Sequence, residues 1–210
     1  MLAPFPAGGD AFTDGRPERA PQVLTNSWNC PALEGCDENA LRPATAALAT
    51  AGIFVVAAAG NTGPFCGSVD DPPANYPDVV TVGAVDRDHR VTDFSSRGPT
   101  GAGTVKPDLV APGAQVLSAL PGGGYTTNDG TSMATPHVAG VVALMWSANP
   151  ALIGDLARTS DILRQTATRA DPGKSSDLSG KGQDTCANNA ANATGAGMVD
   201  AFAAVRASRA

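Results

Sequence analysis

The residue best placed to do chemistry in this chain is a serine. Gly130-Thr131-Ser132-Met133-Ala134-Thr135-Pro136-His137-Val138-Ala139-Gly140 puts Ser132 just past a glycine-bearing turn, in the first turn of an apolar helical pattern. A hydroxyl there is held at the end of a rigid element. Its own N–H is one of the helix's unpaired donors, and the helix dipole favours negative charge beside it. A tetrahedral oxyanion needs those features, so the segment suits nucleophilic acyl transfer. The same residues are also compatible with a plain helix cap by Ser132 or Thr131, the commonest role of such a serine. A serine nucleophile needs a base, and the chain holds two histidines. His137 follows Ser132 by five residues, more than one helical turn. His89 sits among charges in Asp86-Arg87-Asp88-His89-Arg90, the setting of a solvated loop residue. Neither is expected to be the base.

The elements that must hold Ser132 read as an α/β fold. Residues 23–28 look like a short strand, 41–51 like an Ala-rich helix after Pro43 closed by Gly52, and 53–59 like a buried β-branched strand. Strand, helix, strand at that spacing is a βαβ unit and implies a mainly parallel sheet. Residues 78–85 and 115–120 are further strand candidates between Gly/Pro-rich loops. Residues 132–146 carry Met133, Val138, Val141, Val142, Met145 and Trp146, a stripe wide enough for a largely buried helix. Later helices are expected at 161–168 and 198–205. Residues 171–195, rich in Gly, Asn, Asp and Ser, read as a long surface loop tied down by Cys186.

Composition narrows the partners. The chain has 210 residues, 42% of them hydrophobic, enough for one domain with a core. Its 24 glycines and 17 prolines follow no G-X-Y period and imply many tight turns. A net charge of −6 leaves no basic field for nucleic acid or anionic lipid. The longest apolar runs, 53–59 and 141–146, fall far short of the roughly 20 residues that cross a bilayer, so no membrane span is expected. Residues 1–20 carry Pro4, Pro6, Asp10 and Asp14, which fit no export signal and leave little to pack alone. They are expected to be irregular. Four cysteines, Cys30, Cys36, Cys66 and Cys186, lack CxxC or zinc spacing. Two disulfides are the favoured reading, with buried free thiols as the alternative.

The eleven residues around Ser132 resemble the nucleophile motif of the subtilisin-like serine proteases, the subtilases, at every position. Ala57-Ala58-Ala59-Gly60-Asn61 is similar to that family's strand end bearing an oxyanion asparagine. Val82-Gly83-Ala84-Val85-Asp86, Phe94-Ser95-Ser96-Arg97-Gly98-Pro99, Lys106-Pro107-Asp108-Leu109-Val110-Ala111-Pro112-Gly113 and Gly195-Ala196-Gly197-Met198-Val199-Asp200-Ala201 match as well. The likeness runs from about residue 20 to the end. Asn26-Ser27-Trp28 with Cys30 resembles a bacillopeptidase F-like branch. The resemblance implies a three-layer subtilisin-like fold, with 21–210 corresponding to the C-terminal two-thirds of the catalytic domain.

Carried over, the resemblance makes Ser132 the nucleophile, with the Asn61 side-chain amide and the Ser132 N–H as the oxyanion hole. Ser27, Trp28 and Asn29 on one side, and Ala58, Ala59 and Gly60 on the other, would flank the specificity cleft and pair with a peptide or protein substrate. The family has glycine where Asn29 stands, so its side chain is expected to narrow the cleft or cap the following turn. His137 is expected to be a buried packing residue. Beside that cleft, Cys30 and Cys36 are expected to pair, leaving Cys66 to Cys186. The family's D-[TS]-G and H-G-T-H segments do not occur in these 210 residues. The domain is therefore expected to be N-terminally truncated, with its triad Asp and His in a further N-terminal segment, and the chain alone inactive or a peptide-binding remnant.

Other readings carry less. Gly130-Thr131-Ser132-Met133 begins like G-x-S-x-G, but Ala134 breaks it and the α/β-hydrolase order of Asp then His is missing. No cofactor is required for catalysis. Residues 76–79 resemble a loop whose carbonyls hold calcium or sodium in relatives, while Asp70, Asp71 and Asp78 read as solvated charges. Asn192-Ala193-Thr194 fits a glycosylation sequon. Paired cysteines and family habit point to an extracellular or cell-surface parent protein.

Overall fold

A computed structural model describes residues 3–10, 12–174 and 189–209. Strands β1 (Val23–Asn26), β2 (Phe54–Ala58), β3 (Val80–Val85) and β4 (Leu109–Pro112) form one sheet in that order, all parallel. Helix α1 (Arg42–Thr50) makes the crossover from β1 to β2, as the strand-helix-strand spacing required. Every residue of β2 and β3 is buried, because a parallel sheet is covered on both faces. Phe54, Val56, Val82, Ala84, Leu109 and Ala111 pack with helix α2 (Thr131–Ala148). Val55 and Ala57 face the other way, onto Tyr76, Val79 and the Leu41 and Leu48 side chains. The result is the three-layer α/β arrangement, with α2 under the sheet and α1 over it.

Trp146 locks α2 into this core. Its ring meets Phe54 edge-on at 6.1 Å, and its Nε1 donates to Thr159 Oγ1 at 2.9 Å on helix α3 (Leu156–Thr166). Helix α5 (Ala201–Ser208) adds Ala204 to the same cluster. Both late helices are displaced from their expected positions because an aspartate sets each start. Asp155 accepts from Arg158 N and Asp200 from Ala203 N.

Buried charge ties the sheet to α3. Lys106 Nζ donates to Val79 O at 2.7 Å and to Asp108 Oδ2 at 2.6 Å, and Asp108 Oδ1 accepts from Arg164 at 3.0 Å. Burial pushes the Lys106 ammonium below its usual pKa range, against the pull of Asp108. The Val79 carbonyl, one of the 76–79 oxygens considered for a cation, accepts this ammonium.

Several expectations need correction. The strand expected at 115–120 is β5 (Val116–Ala119), one arm of an antiparallel hairpin with β6 (Tyr125–Asn128), whose Tyr-Thr-Thr-Asn after three glycines carries no apolar strand pattern. The end of the 171–195 loop folds as α4 (Ala191–Thr194), where Asn192, Ala193 and Thr194 are buried and the Asn192 carbonyl accepts from Gly98 N at 2.8 Å. A 4%-exposed Asn192 is closed to glycosylation in the folded chain. His137 is exposed, not buried, on the outer face of α2 with Pro136, Gly140 and Leu144, because Val138, Val141, Val142 and Met145 take the inner face. Cys30 and Cys36 are bonded, with Cα atoms 5.7 Å apart. Cys66 is also oxidised, and its expected partner Cys186 lies outside the described residues.

The two sheet edges differ. Segment 197–199 covers β4, with Val110 N donating to Gly197 O at 2.9 Å and Val199 N to Val110 O at 3.0 Å. Beside β1, among the described residues, no further strand pairs. An apolar groove of about 490 Å³ lined by Leu24, Leu41, Leu48 and Val55 lies on one face there. Another of about 560 Å³, lined by Val23, Ala143, Trp146 and Ile153, lies on the other. Described residues before β1 form turns and one 3-10 turn, Pro17–Arg19. No helix of the described residues is long and apolar enough to cross a membrane.

Candidate active site

Parallel strands present the loops at their C-terminal ends on one side of the sheet, and the candidate residues gather there. Ser27, Trp28 and Asn29 follow β1, Ala59, Gly60 and Asn61 follow β2, and Ser132 opens α2. Gly130 precedes α2 with φ 148°, and no side chain caps the helix, so neither Ser132 nor Thr131 has the capping role. Thr131 is instead buried, and its side chain reaches β2. Its N–H donates to Asn61 Oδ1 at 2.9 Å and its hydroxyl to the same oxygen at 3.0 Å. Thr131 Oγ1 also accepts from Gly60 N at 3.2 Å.

With its oxygen held twice, the Asn61 carboxamide turns Nδ2 the other way. A Cβ placed on Gly130 would stand 3.6 Å from Asn61 Nδ2 and 3.7 Å from Ser132 N. Met133 Sδ stands equally near that point, at 3.6 Å, and neither Asn61 Nδ2 nor Ser132 N has a hydrogen-bond partner among the described residues. Two N–H donors near a hydroxyl are the groups that a tetrahedral oxyanion would require.

The nucleophile candidate is itself engaged. Ser132 Oγ donates to Ser27 O at 3.2 Å, and Ser27 Oγ donates to Ser132 O at 3.1 Å. Neither histidine hydrogen-bonds to Ser132 among the described residues. His137 Nδ1 lies 2.9 Å from Met133 O, and His89 occupies an exposed turn with φ 61°.

The flanking segments are built differently. Ser27 and Trp28 are exposed, Trp28 at 56%, and Asn26 Nδ2 fixes their turn by donating to Trp28 O at 2.7 Å. Ala58 and Ala59 point their side chains into the core, so their backbone is what they can offer. Gly60 accepts from Ser96 N at 3.0 Å, besides its bond to Thr131, and Asn29 caps nothing among the described residues. Asn26, Ser27's clasp on Ser132 and Thr131's hold on Asn61 were not foreseen. Only the polar residues beside Trp28 and Ser132 hinted at them. Among the described residues, no three His, Cys, Asp or Glu side chains group as a metal site.

A model of the Subtilase family matches residues 9–183. Bacillopeptidase F of Bacillus subtilis (strain 168) is 39% identical over 212 residues, 99% of this chain and 13% of that protein. Subtilisin E of the same organism is 45% identical over 121 residues, 57% of this chain and 29% of its own. Among solved structures, the prenylagaramide maturation protease PagA aligns with a TM-score of 0.70 at 27% identity. That match covers 91% of this chain and 63% of the other. The patellamide maturation protease PatA aligns with 0.63 at 30% identity, covering 83% and 58%. In each case the chain spans less than two thirds of its relative. With the family model matching most of its length, the chain belongs to the subtilase family.

Proposed function

We propose that this chain carries the nucleophile and oxyanion hole of a serine endopeptidase. Ser132 Oγ attacks the scissile carbonyl, the oxyanion is received by Asn61 Nδ2 and the Ser132 N–H, and water later releases the acyl group. The observation that supports this reading is that Asn61 Nδ2 and Ser132 N, both without partners among the described residues, lie 3.6 and 3.7 Å from the Cβ position that Gly130 leaves vacant. The substrate is a peptide or protein strand lying between residues 27–29 and 58–60. The reaction needs no cofactor.

The base and its orienting carboxylate come, in this reading, from sequence beyond these 210 residues. The open edge of β1 and the apolar grooves on both of its faces support their arrival on an added parallel strand with flanking helices. The 210 residues alone keep only the oxyanion hole, and hydrolyse peptides orders of magnitude more slowly than the completed domain. The Cys30–Cys36 disulfide supports an extracellular or cell-surface setting. A peptide-binding remnant without catalysis is the second reading, favoured by the Ser132 hydroxyl resting on the Ser27 carbonyl and not on an imidazole.

Hydrolysis of a chromogenic peptide panel by the natural protein carrying these residues separates the two. Endopeptidase action predicts turnover that Ser132→Ala abolishes. Peptide binding with no turnover in either protein would establish the second reading.

A further inference from the structure

In an α-helix the carbonyl of residue i receives the N–H of residue i+4. For Ser132 that residue is Pro136, inside α2, which has no N–H and whose ring crowds the carbonyl four positions before it. The carbonyl of Ser132 is thus denied its i+4 helical donor. It receives the Ser27 hydroxyl instead, at 3.1 Å, from a loop 105 residues earlier in sequence.

We propose that Ser27 is a positioning residue, which fixes the nucleophile's backbone through the carbonyl that Pro136 leaves without a helical donor. The inference rests on Ser132 being the nucleophile. Both Ser132 Oγ and its N–H hang from the Cα next to this carbonyl, so holding one holds the attacking atom and an oxyanion donor together. Ser27 belongs to the cleft wall that Asn26 braces through Trp28 O. The bond therefore sets the register between a substrate strand lying on that wall and the atom that attacks it, which is the contribution orientation makes to rate.

Ser27→Ala removes the donor, Ser27→Thr keeps it, and Pro136→Ala supplies a backbone N–H that competes for the same carbonyl. In the natural protein, Ser27→Ala is expected to lower kcat about tenfold with KM within about twofold, the size of one lost positioning bond. Ser27→Thr is expected to stay within about threefold of the parent. The Ser27→Ala/Pro136→Ala double variant should be no slower than Ser27→Ala alone. Its urea midpoint should lie above that of Ser27→Ala, because the new N–H satisfies the carbonyl, and by more than Pro136→Ala raises the parent. Effects that simply multiply in kcat and add in midpoint, or an unchanged kcat in Ser27→Ala, would overturn the proposal. A natural protein that turns nothing over defeats the endopeptidase reading instead. The midpoint cycle then still decides whether Ser27 and Pro136 act on one carbonyl.

Discussion

The side-chain oxygen of Asn61 is held by both the N–H and the hydroxyl of Thr131, at 2.9 and 3.0 Å, so the residue before Ser132 orients the Asn61 carboxamide. Asn61→Ala is expected to lower kcat by about 10²–10³ with little change in KM, a range established for such amide donors in a subtilisin. Thr131→Val loses one of the two holds on Asn61 and the acceptor for Gly60 N. It should lower kcat about tenfold, and Thr131→Ser should recover most of that. Steady-state kinetics on the four proteins checks the order.

Gly130 is constrained by a φ of 148°, and a Cβ there would stand in ordinary contact with Asn61 Nδ2, Met133 Sδ and Ser132 N. Gly130→Ala strains that backbone angle and puts a methyl beside both proposed oxyanion donors. Turnover should fall at least as far as in Asn61→Ala, and a peptide aldehyde that mimics the tetrahedral adduct should lose affinity in parallel. Unimpaired aldehyde binding would place the anion elsewhere.

Stability should respond to the Trp146 contact. Thr159→Val leaves the buried indole N–H unpaired, which costs about 1–3 kcal/mol, read as a lower urea midpoint with an unchanged slope.

Asp71 sets a pH dependence. Burial first, then the neighbouring Asp70 and Glu34 charges, raise its carboxyl above the ordinary 3.8. The folded state holds that proton more tightly than the unfolded one. The group's contribution is therefore complete below 3.8 and is lost as pH rises through the folded value. Asp71→Asn should be more stable than the parent at neutral pH, with the difference vanishing in acid. Urea midpoints across that range test the sign.

How much of this was legible depended on whether the cause was local. The eleven residues around Ser132 announce a helix start with a serine, and the apolar run of β2 announces a central strand, because each signal lies within one element. The outward position of His137 was also readable, since Val138, Val141, Val142 and Met145 already fix the inner face of α2. The resemblance to a buried family position misdirected it. The Cys30–Cys36 pair was reachable because both cysteines lie in one short loop. β6 was not legible, its residues being polar and its strand existing only by pairing with β5. Nor was the Ser27 clasp, since nothing near Ser27 states that Pro136 has left a carbonyl open across the fold.

The central claim, that Ser132 is an activated nucleophile, is tested most directly by treating the natural protein with a fluorophosphonate and locating the adduct by peptide mass spectrometry. The account predicts a single adduct on Ser132, absent in Ser132→Ala and strongly reduced when the 210 residues are treated alone. An unmodified Ser132 in a protein that still hydrolyses peptides, or an adduct on another serine, would contradict it.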